Sequence, residues 1–543
     1  MNSLKESIKI LNFLFVFFLF IIVVTPSISQ PLTKRQILDL DGEAQEYFQI
    51  GAYYKALPIY LRLDSATKND PHYAYPIGVC YIQERNEAKA LPFLEKCLAT
   101  PAKYPHKLNF YLATAYHLSH RLDEAIKYYE IYKASLKKKI QGDIIKEMDR
   151  EIQMCNTGKE LMAKPLQIEI INLGKTINTK YPEYGAVISA NEDELIFTSN
   201  RPNTTGGRID EEDGRFYEDI YISYKDKTGI WSTPVKMSSG INTSGHDASI
   251  SLSSDGQKLI LYRNEAKEGM IANSAGELFV SDLHGATWSR PVKFPPQINN
   301  GAYQPSACLT EDQRVLYFSS NREGGMGGTD LYSVKKLSNG QWALPQNMGK
   351  TLNTQYNEDS PYLHPDGKTL YFSSDGHKTM GGYDIFVSRF NDSTKAWSSP
   401  ENVGYPISTA HDDIHFSWSA DAKRVYFSST RPEGQGDKDI YYGSIEKEAA
   451  QVLVVKGIVY DSLNSKPMEA AIKVTDLKTG ELVGVYNSNS STGKYIIILP
   501  EGKNYSFSIE AANYGICSQN IDVSELHEFK EIDKNISLCP RKK

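Results

Sequence analysis

The sequence predicts three folded parts in series: α-helical repeats, then a five-bladed β-propeller, then a small β-sandwich. Three observations support this multidomain fold class. Small residues recur at a regular interval within helical patterns in the first third of the chain. A short β-rich segment then recurs five times, and the last region alternates apolar and polar residues between turns.

The N-terminus predicts a secretory signal peptide over residues 1–29. Lys5 and Lys9 precede an apolar run over residues 11–24, and the small residues Ser27 and Ser29 mark a cleavage site. An uncleaved membrane anchor is the alternative, although the run is shorter than the roughly 20 apolar residues that a spanning helix needs. We therefore expect an exported protein with no transmembrane segment after cleavage.

Composition argues against nucleic acid as a partner. The 543 residues include 60 Lys and Arg against 66 Asp and Glu, a net charge of −6, and no long basic block that could neutralise a row of phosphates. The six cysteines form no C-x-x-C pair, so no zinc or redox motif is predicted. A disulfide between Cys517 and Cys539 and two separate thiols both remain open.

Residues 36–162 are predicted to form the helical repeats. Ala56, Ala90 and Ala125 occupy the same place in three similar segments, at intervals of 34 and 35 residues. That period is typical of tetratricopeptide repeats, in which small residues let paired helices approach closely. An irregular helical bundle is the alternative. The Lys-rich stretch over residues 133–150 is interpreted as the solvated face of a capping helix, because terminal repeats need a polar outer side.

Residues 165–445 are predicted to form the five propeller blades. Each repeat contains one large apolar residue, at intervals of 64, 57, 54 and 55 residues: Phe197, Leu261, Phe318, Phe372 and Phe427. A second strand follows each of these segments. Four repeats then add a tryptophan strand, which completes the content of a four-stranded blade: Trp231, Trp288, Trp342 and Trp397.

The fifth repeat lacks its tryptophan strand, and a segment before the first repeat is predicted to replace it. Residues 171–179 match residues 346–354, so the N-terminal segment completes the last blade and removes two exposed sheet edges. A six-bladed ring is the alternative, but no unassigned stretch remains to build it. Residues 452–540 are predicted to form a small antiparallel sandwich after a linker over residues 446–451.

Glycine-rich segments in the propeller region predict no cofactor site. The Gly-Lys-Thr segments at residues 174–176 and 349–351 lack both the earlier glycine and the following helix of a phosphate loop. The glycine run at residues 324–328 lies between two predicted strands and is interpreted as a flexible hairpin connection. We expect no bound cofactor.

The histidines predict no metal site. His411 and His415 have the i, i+4 spacing of a helical zinc site, but they fall on a predicted strand, where they are too far apart to share a tetrahedral ion. His117 and His120 are interpreted as a packing pair between helical repeats. No nucleophile motif or glycosidase pair of acids is recognisable either, so no catalytic residue is predicted.

Polar residues recur at two positions of the propeller repeat. The first position begins the innermost strands: Glu183, Asp247, Gln304, Glu358 and Asp413. The second follows the next strand: Arg201, Arg322 and Arg431. Two interpretations remain open. The side chains either satisfy internal hydrogen bonds in every blade, or they form a partner-binding rim at one end of the ring.

The blades resemble the WD40-like repeats called PD40, found in TolB-type propellers. Residues 360–374 carry the clearest version, Ser-Pro-x3-Pro-Asp-Gly-Lys-Thr-Leu-Tyr-Phe-Ser-Ser. The order of tetratricopeptide repeats, PD40 propeller and a carboxypeptidase-regulatory-like fold is similar to periplasmic proteins of the Bacteroidetes, including an accessory component of their type IX secretion machinery. That group often has a lipidated N-terminal cysteine and an OmpA-like C-terminal domain. The resemblance extends to neither.

This resemblance implies a non-enzymatic scaffold or adaptor in the periplasm, peripherally associated with the outer membrane. Its expected partners are other envelope proteins or secretion-system components, with cell-wall glycan as a further candidate. The alternative is a glycan- or peptide-processing enzyme subunit in which the propeller gates access of the substrate.

Overall fold

The computed structural model describes residues 32–99, 104–138, 141–207, 209–210, 214–264, 276–445, 452–500, 503–522 and 530–541. The predicted signal peptide and the predicted linker at residues 446–451 lie outside these ranges. Within them, helices occupy the N-terminal part and antiparallel sheets follow. Every helix in these ranges is too short or too polar to cross a lipid bilayer.

Seven helices are present in the described part of the chain: α1 Lys34–Gln49, α2 Tyr53–Ala66, α3 Pro71–Gln83, α4 Glu87–Leu98, α5 Leu108–Leu118, α6 Leu122–Ser135 and α7 Gly142–Met162. The first six form three antiparallel pairs that stack in sequence order, and α7 packs on α6. Ala56, Ala90 and Ala125 are fully buried between helices, as their periodic recurrence predicts.

The three helix pairs share one turn geometry. At each turn an N–H bonds to the carbonyl five residues earlier, from Ala52 to Tyr47 at 2.9 Å, and from Asn86 to Tyr81 and Arg121 to Tyr116 at 2.8 Å. This bond caps the C-terminal end of the first helix of the pair. It requires that the residue just before the donor has a positive φ, in the left-handed region. Gly51, Arg85 and His120 supply that conformation, with φ between 54° and 80°.

Five antiparallel sheets follow. Their strands are β1 Ile168–Asn172, β2 Glu183–Ile188, β3 Glu194–Ser199, β4 Asp219–Tyr224, β5 Val235–Lys236, β6 His246–Leu252, β7 Lys258–Asn264, β8 Glu277–His284, β9 Thr287–Trp288, β10 Val292–Lys293, β11 Ala307–Leu309, β12 Val315–Ser320, β13 Asp330–Lys335, β14 Gln346–Asn347, β15 Glu358–Leu363, β16 Thr369–Ser374, β17 Asp384–Asn391, β18 Ala396–Trp397, β19 Glu401–Asn402, β20 Asp413–Trp418, β21 Arg424–Ser429 and β22 Asp439–Ile445.

The sheets begin with β2, β6, β11, β15 and β20 as their innermost strands, and the next two or three strands along the chain pair outward in order. Each innermost strand contacts that of the next sheet, and β20 also contacts β2. The five sheets therefore form a closed ring, here called the five-sheet ring. Its core consists of the large residues of the repeat, and Phe197, Phe318, Phe372 and Phe427 are fully buried.

The ring is closed by the N-terminal segment, as the sequence predicts. β1 pairs antiparallel with β22, with Ile170 opposite Gly443, and becomes the outermost strand of the fifth sheet. Asn178 repeats the hydrogen bonds of its counterpart Asn353. Its amide bonds to the backbone of Ile440 in β22 at 2.9 Å in both directions, as Asn353 does with Leu331.

The glycine-rich loops are packed contacts between sheets, so the interpretation of a flexible connection is wrong. A Cβ added to Gly327 would lie 2.3 Å from the carbonyl oxygen of Tyr356 in the next sheet. Corresponding close approaches occur for Gly206, Gly381 and Gly436, and the last of these abuts Lys180 across the ring closure. Glycine is required here because the backbones of neighbouring sheets come too close for a side chain.

Two sheets form the C-terminal part. Their strands are β23 Val452–Asp461, β24 Ala471–Asp476, β25 Leu482–Asn487, β26 Lys494–Pro500, β27 Asn504–Glu510, β28 Cys517–Asp522, β29 Lys530–Asp533 and β30 Ile536–Leu538. One sheet has the order β25-β24-β27-β28, and the other places β23 between β26 and the two final strands. Tyr486, Ile497 and Phe507 pack in the core between them.

The expectation of a purely antiparallel sandwich is wrong, because β29 and β30 both pair parallel with β23. Strands that pair in parallel need a crossover connection, and between β23 and β29 the chain passes through the other sheet, which apolar alternation within each strand does not reveal. All six cysteines are free thiols, including Cys517 and Cys539.

Candidate functional site

The acids that begin the innermost strands are buried inside the ring. Glu183, Asp247, Glu358 and Asp413 are each 0% exposed. The Glu183 carboxylate accepts hydrogen bonds from the Thr179 N–H at 2.6 Å and hydroxyl at 2.8 Å, and from the Ser199 hydroxyl at 2.7 Å. These donors lie in the turn before the strand and on its neighbour, so the carboxylate ties the two together.

The same arrangement recurs around the ring. A threonine four residues before the acid donates both its N–H and its hydroxyl to the carboxylate in three further sheets, through Thr243, Thr354 and Thr409. In the third sheet, Gln304 and Asn300 replace the acid and the threonine and bond to each other at 3.0 Å. The strand-end residue and its hydrogen bond to the turn four residues earlier therefore recur in every sheet.

The recurring arginines are internal as well. Arg201, Arg322 and Arg431 each donate to a backbone carbonyl in the turn before the innermost strand, belonging to Ile177, Ile298 and Ile407 at 2.8–3.0 Å. Arg201 also reaches Glu183 at 2.9 Å, and Arg431 reaches Asp413 at 3.3 Å.

Two further residues have this role, although they do not occupy the repeat position of the recurring arginines. Arg263 lies two positions before the aligned arginines, yet it bonds to Asp247 at 2.8 Å and to the Ile241 carbonyl. In the fourth sheet the His377 ring bonds to the Leu352 carbonyl at 2.8 Å. The signal that could have found both is chemical rather than positional, since one cationic or imidazole group lies at or just after the end of the second strand of every sheet.

The interpretation of these residues as an exposed partner-binding rim is corrected by their burial. Glu183, Asp247, Glu358 and Asp413 have no solvent-accessible face, and their oxygens are used by internal donors. Burial raises the pKa of all four carboxyls despite those donors, and it raises the pKa of Glu358 to about 7. The geometry supports the alternative of internal hydrogen-bonding groups that define each strand end.

The ring axis carries a second polar feature. Ser306, Ser360 and His415 occupy one position of three neighbouring repeats, two residues after the recurring acid or glutamine. The Ser360 N–H donates to the Ser306 hydroxyl at 2.9 Å, and the Ser360 hydroxyl lies 3.1 Å from His415 Nδ1. Ser360 and His415 both have φ above 50°, because the strand bulges there and turns these side chains toward the axis.

A cavity of about 130 Å³ lies on the axis and is lined in part by this hydrogen-bonded chain, together with Ala186, Ile250, Cys308 and Phe416. The C-terminal sandwich closes it with Val485 and Ile498. The junction with the sandwich is polar around its edge, because Asp255 accepts from the Asn487 N–H at 2.7 Å and the Glu311 carbonyl accepts from the Val485 N–H at 2.9 Å.

The helices cover part of the opposite end of the ring. Arg85 bonds to Asp412 at 2.6 Å, and Glu87 lies 3.4 Å from His411 with both side chains nearly fully buried. The predicted packing pair of histidines also belongs to this junction. His117 bonds to the Met380 carbonyl at 2.8 Å, and His120 accepts from the Ala410 N–H at 3.3 Å.

The Lys-rich stretch is also more than a solvated face. Within it, α7 begins at Gly142 and brings Arg150 onto the ring, where its guanidinium lies 3.5 Å from the Tyr356 ring centre and donates to the Asp375 carbonyl. α7 is therefore a contact element between the helices and the five-sheet ring.

His411 and His415 are separated by their environments. His411 faces Glu87 of the helices, whereas His415 lies at the axis, stacked on Tyr184 with ring centres 5.8 Å apart. Among the described residues, no three His, Cys, Asp or Glu side chains are grouped closely enough to hold a metal ion.

The comparisons with known proteins identify no family. No protein-family model and no curated protein matches the chain. Among solved structures, the chain is similar to the type III secretion translocator chaperone SycD of Yersinia enterocolitica, with 15% identity over 24% of this chain and 89% of that chain, at a TM-score of 0.21.

Two glycoside hydrolases are similar over about half of the chain. An α-L-arabinofuranosidase from Lactobacillus brevis shares 12% identity over 48% of this chain and 90% of its own length, at a TM-score of 0.33. An endo-arabinase from Bacteroides thetaiotaomicron shares 13% identity over 51% and 97%, at a TM-score of 0.34. These low scores carry no functional argument.

Proposed function

We propose that this chain is an exported, non-enzymatic adaptor of the bacterial periplasm that binds other envelope proteins or secretion-system components. In this proposal a tetratricopeptide-type helical segment, a five-bladed PD40-type propeller and a carboxypeptidase-regulatory-like sandwich act as one binding unit. The resemblance in domain order motivates the envelope location and the type IX secretion context.

The observation that carries the proposal is the buried polar junction between helices and ring. The His117 ring bonds to the Met380 carbonyl across it at 2.8 Å, and Glu87 lies 3.4 Å from His411 with 6% and 5% of their side chains exposed. Buried polar pairs are costly to separate, because each group would be left without its partner. The helices are therefore held in one orientation, and a partner can contact both the helices and the ring.

A patch of tyrosines around Lys107 supports a peptide-like partner. Tyr75 of the second helix pair lies 6.1 Å from Tyr111 of the third, and the Lys107 ammonium lies 5.3 Å from the Tyr111 ring centre. Burial and the nearby Tyr111 raise the pKa of Tyr53, which belongs to the first pair. Side chains from the first and third pairs therefore come together beside Lys107, and stacked helix pairs generally form a concave surface that suits an extended segment.

Site-specific photo-crosslinking in intact cells tests this function. A photoreactive residue replacing Lys107 is expected to yield discrete adducts with envelope proteins. The matched position is Lys146, whose side chain is 80% exposed on α7, and it is expected to yield fewer. Identical adducts from both positions would contradict the concave site. Turnover of glycan or peptide substrates by the purified chain, abolished by one acid substitution, would instead support the enzyme-subunit alternative.

A further inference from the structure

The end of the ring axis that faces the helices gathers side chains from all five sheets. Backbone bonds from the innermost strands bring the residues before the third strands to the axis: Asp247 N–H to Glu218 at 3.1 Å, Asp413 N–H to Tyr383 at 2.6 Å and Glu183 N–H to Lys438 at 2.7 Å. The side chains of Glu218, Tyr383 and Lys438 therefore stand beside the first residues of the next innermost strands.

Tyrosines dominate this place, here called the axial mouth and defined by Tyr184, Glu218, His246, Tyr262, Tyr303 and Tyr383. Tyr262 and Tyr303 pack edge to face with ring centres 6.0 Å apart. Tyr184 stacks on His415 with ring centres 5.8 Å apart, and burial followed by the Glu218 carboxylate raises the pKa of Tyr184. Tyr303 remains 42% exposed, so part of the aromatic surface is open to a ligand.

Two carboxylates at this end of the ring axis have cationic partners. Glu218 forms an ion pair with His246, and although burial acts to lower it, this pairing raises the pKa of His246. Asp412 pairs with Arg85 at 2.6 Å and with Lys438 at 3.5 Å. A charged ligand would have to compete with these partners, whereas a neutral ligand with many hydroxyl groups would not.

We infer that the axial mouth binds a neutral oligosaccharide. Tyrosine rings offer flat apolar faces together with hydroxyl groups, and a small number of fixed polar groups among aromatic walls is the usual composition of a ligand site. Sugar rings match this, since they have apolar C–H faces and hydroxyl groups that both donate and accept. The inference concerns the ring alone and stands apart from the concave patch proposed for a protein partner.

Calorimetric titration of the full mature chain tests the inference. The probes are three neutral tetrasaccharides, cellotetraose, N-acetylchitotetraose and mannotetraose, with anionic tetragalacturonate as the charged comparison. At least one neutral probe is expected to bind with Kd below about 1 mM. Tetragalacturonate is expected to bind at least about tenfold more weakly.

Variants locate the site. Tyr303→Ala is expected to weaken binding of the neutral probe at least about tenfold. Tyr303→Phe is expected to retain most of the affinity because the ring face remains. Tyr224→Ala is the matched control, because Tyr224 is 48% exposed on β4 away from the mouth, and it is expected to change nothing. The inference is overturned if no neutral probe binds, if tetragalacturonate binds more tightly, or if Tyr303→Ala binds as the unmodified chain does.

Discussion

The imidazole Nε2 of His117 lies 2.8 Å from the carbonyl oxygen of Met380, which joins the third helix pair to the fourth sheet of the ring. The other ring nitrogen, Nδ1, lies 3.4 Å from a carboxylate oxygen of Glu151. A protonated imidazole can donate at both nitrogens at once. Although burial acts to lower it, hydrogen bonds to Cys155 and Glu151 raise the pKa of His117 to about 10.

His120, three residues later, behaves in the opposite way. Burial, and then the neighbouring His411 and His117, lower the pKa of His120 to about 4. Its neutral ring accepts the Ala410 N–H, and protonation would remove that bond. The two histidines therefore give the junction opposite responses to pH.

Stability contributed by these histidines is predicted to be greatest near pH ~6.5, the unfolded-state pKa of both. For His117 the folded pKa is raised, so its contribution is complete below pH ~6.5 and is lost as the pH rises toward 10. For His120 the folded pKa is lowered, so its contribution is present above pH ~6.5 and is lost as the pH falls toward 4.

Thermal midpoints of matched glutamine variants measure both effects. His117→Gln should lower the thermal midpoint most at about pH 6 and least at about pH 9. His120→Gln should melt closest to the unmodified chain, or above it, at about pH 5, because the variant has no group to protonate. Midpoint profiles that stay parallel to the unmodified chain at every pH would contradict the assignment.

Ring closure makes β1 more important than its exposed position suggests. The side chains of Ile168 and Ile170 pack against the core of the fifth sheet with Phe427 and Tyr441. Replacing both isoleucines with alanine should lower the free energy of unfolding by about 2–5 kcal/mol and promote aggregation through the opened sheet edges. Urea denaturation and light scattering would measure the two effects.

The matched control is the outermost strand of the first sheet. Val235 in β5 is 56% exposed, and β5 takes no part in ring closure. Val235→Ala should therefore change the free energy of unfolding by no more than about 0.5 kcal/mol. Equal losses from β1 and β5 would show that the N-terminal segment contributes no more than an ordinary edge strand.

Ring closure was predictable from sequence because the residues that make it are copies of residues elsewhere. Asn172 and Asn347 each accept a glycine N–H two residues later at 2.8 Å, at Gly174 and Gly349. A repeated sequence therefore produced a repeated bond, and the match between the two segments was sufficient to assign one from the other.

The junction between helices and ring was not predictable, because its residues occur once. Arg85 and His120 occupy left-handed turn positions, and nothing in the repeat pattern indicates that their side chains reach Asp412 and Ala410. Burial of the repeated acids does not follow from the sequence for a related reason. A carboxylate at one repeat position gives the same pattern whether it faces solvent or a threonine in the preceding turn.

Close approach of neighbouring sheets predicts a specific intolerance at Gly327. Its added Cβ would meet backbone atoms of Tyr356 and Gln355 at 2.3 and 2.6 Å, and backbone cannot rotate away as a side chain can. Gly327→Ala should therefore cost about 1–3 kcal/mol by overpacking. Gly240→Ala is the control, since its Cβ would meet only a serine hydroxyl at 3.7 Å, and a comparable loss there would refute the packing explanation.

Charge reversal at a buried strand-end acid should destabilise the ring. In Glu358→Lys an ammonium would face the N–H and hydroxyl of Thr354 and the hydroxyl of Ser374, which now donate to the carboxylate at 2.8–2.9 Å. The expected loss is about 3–5 kcal/mol in urea denaturation, from a buried charge without a partner. Glu401 lies in the same sheet and its side chain is 76% exposed. Glu401→Lys should therefore change the free energy of unfolding by no more than about 0.5 kcal/mol.

The neutral variant Glu358→Gln gives a pH-dependent result with the sign fixed by the pKa. Burial raises the pKa of Glu358 to about 7, above the unfolded value of about 4.3. Between these values the folded state holds a proton that the unfolded state has released, so stability falls as the pH rises and the loss persists above pH 7. A glutamine cannot ionise, so the stability of Glu358→Gln relative to the unmodified chain should improve from about pH 4 to about pH 8. A difference that is constant across this range would mean that the carboxylate is already ionised at low pH, held so by its three donors.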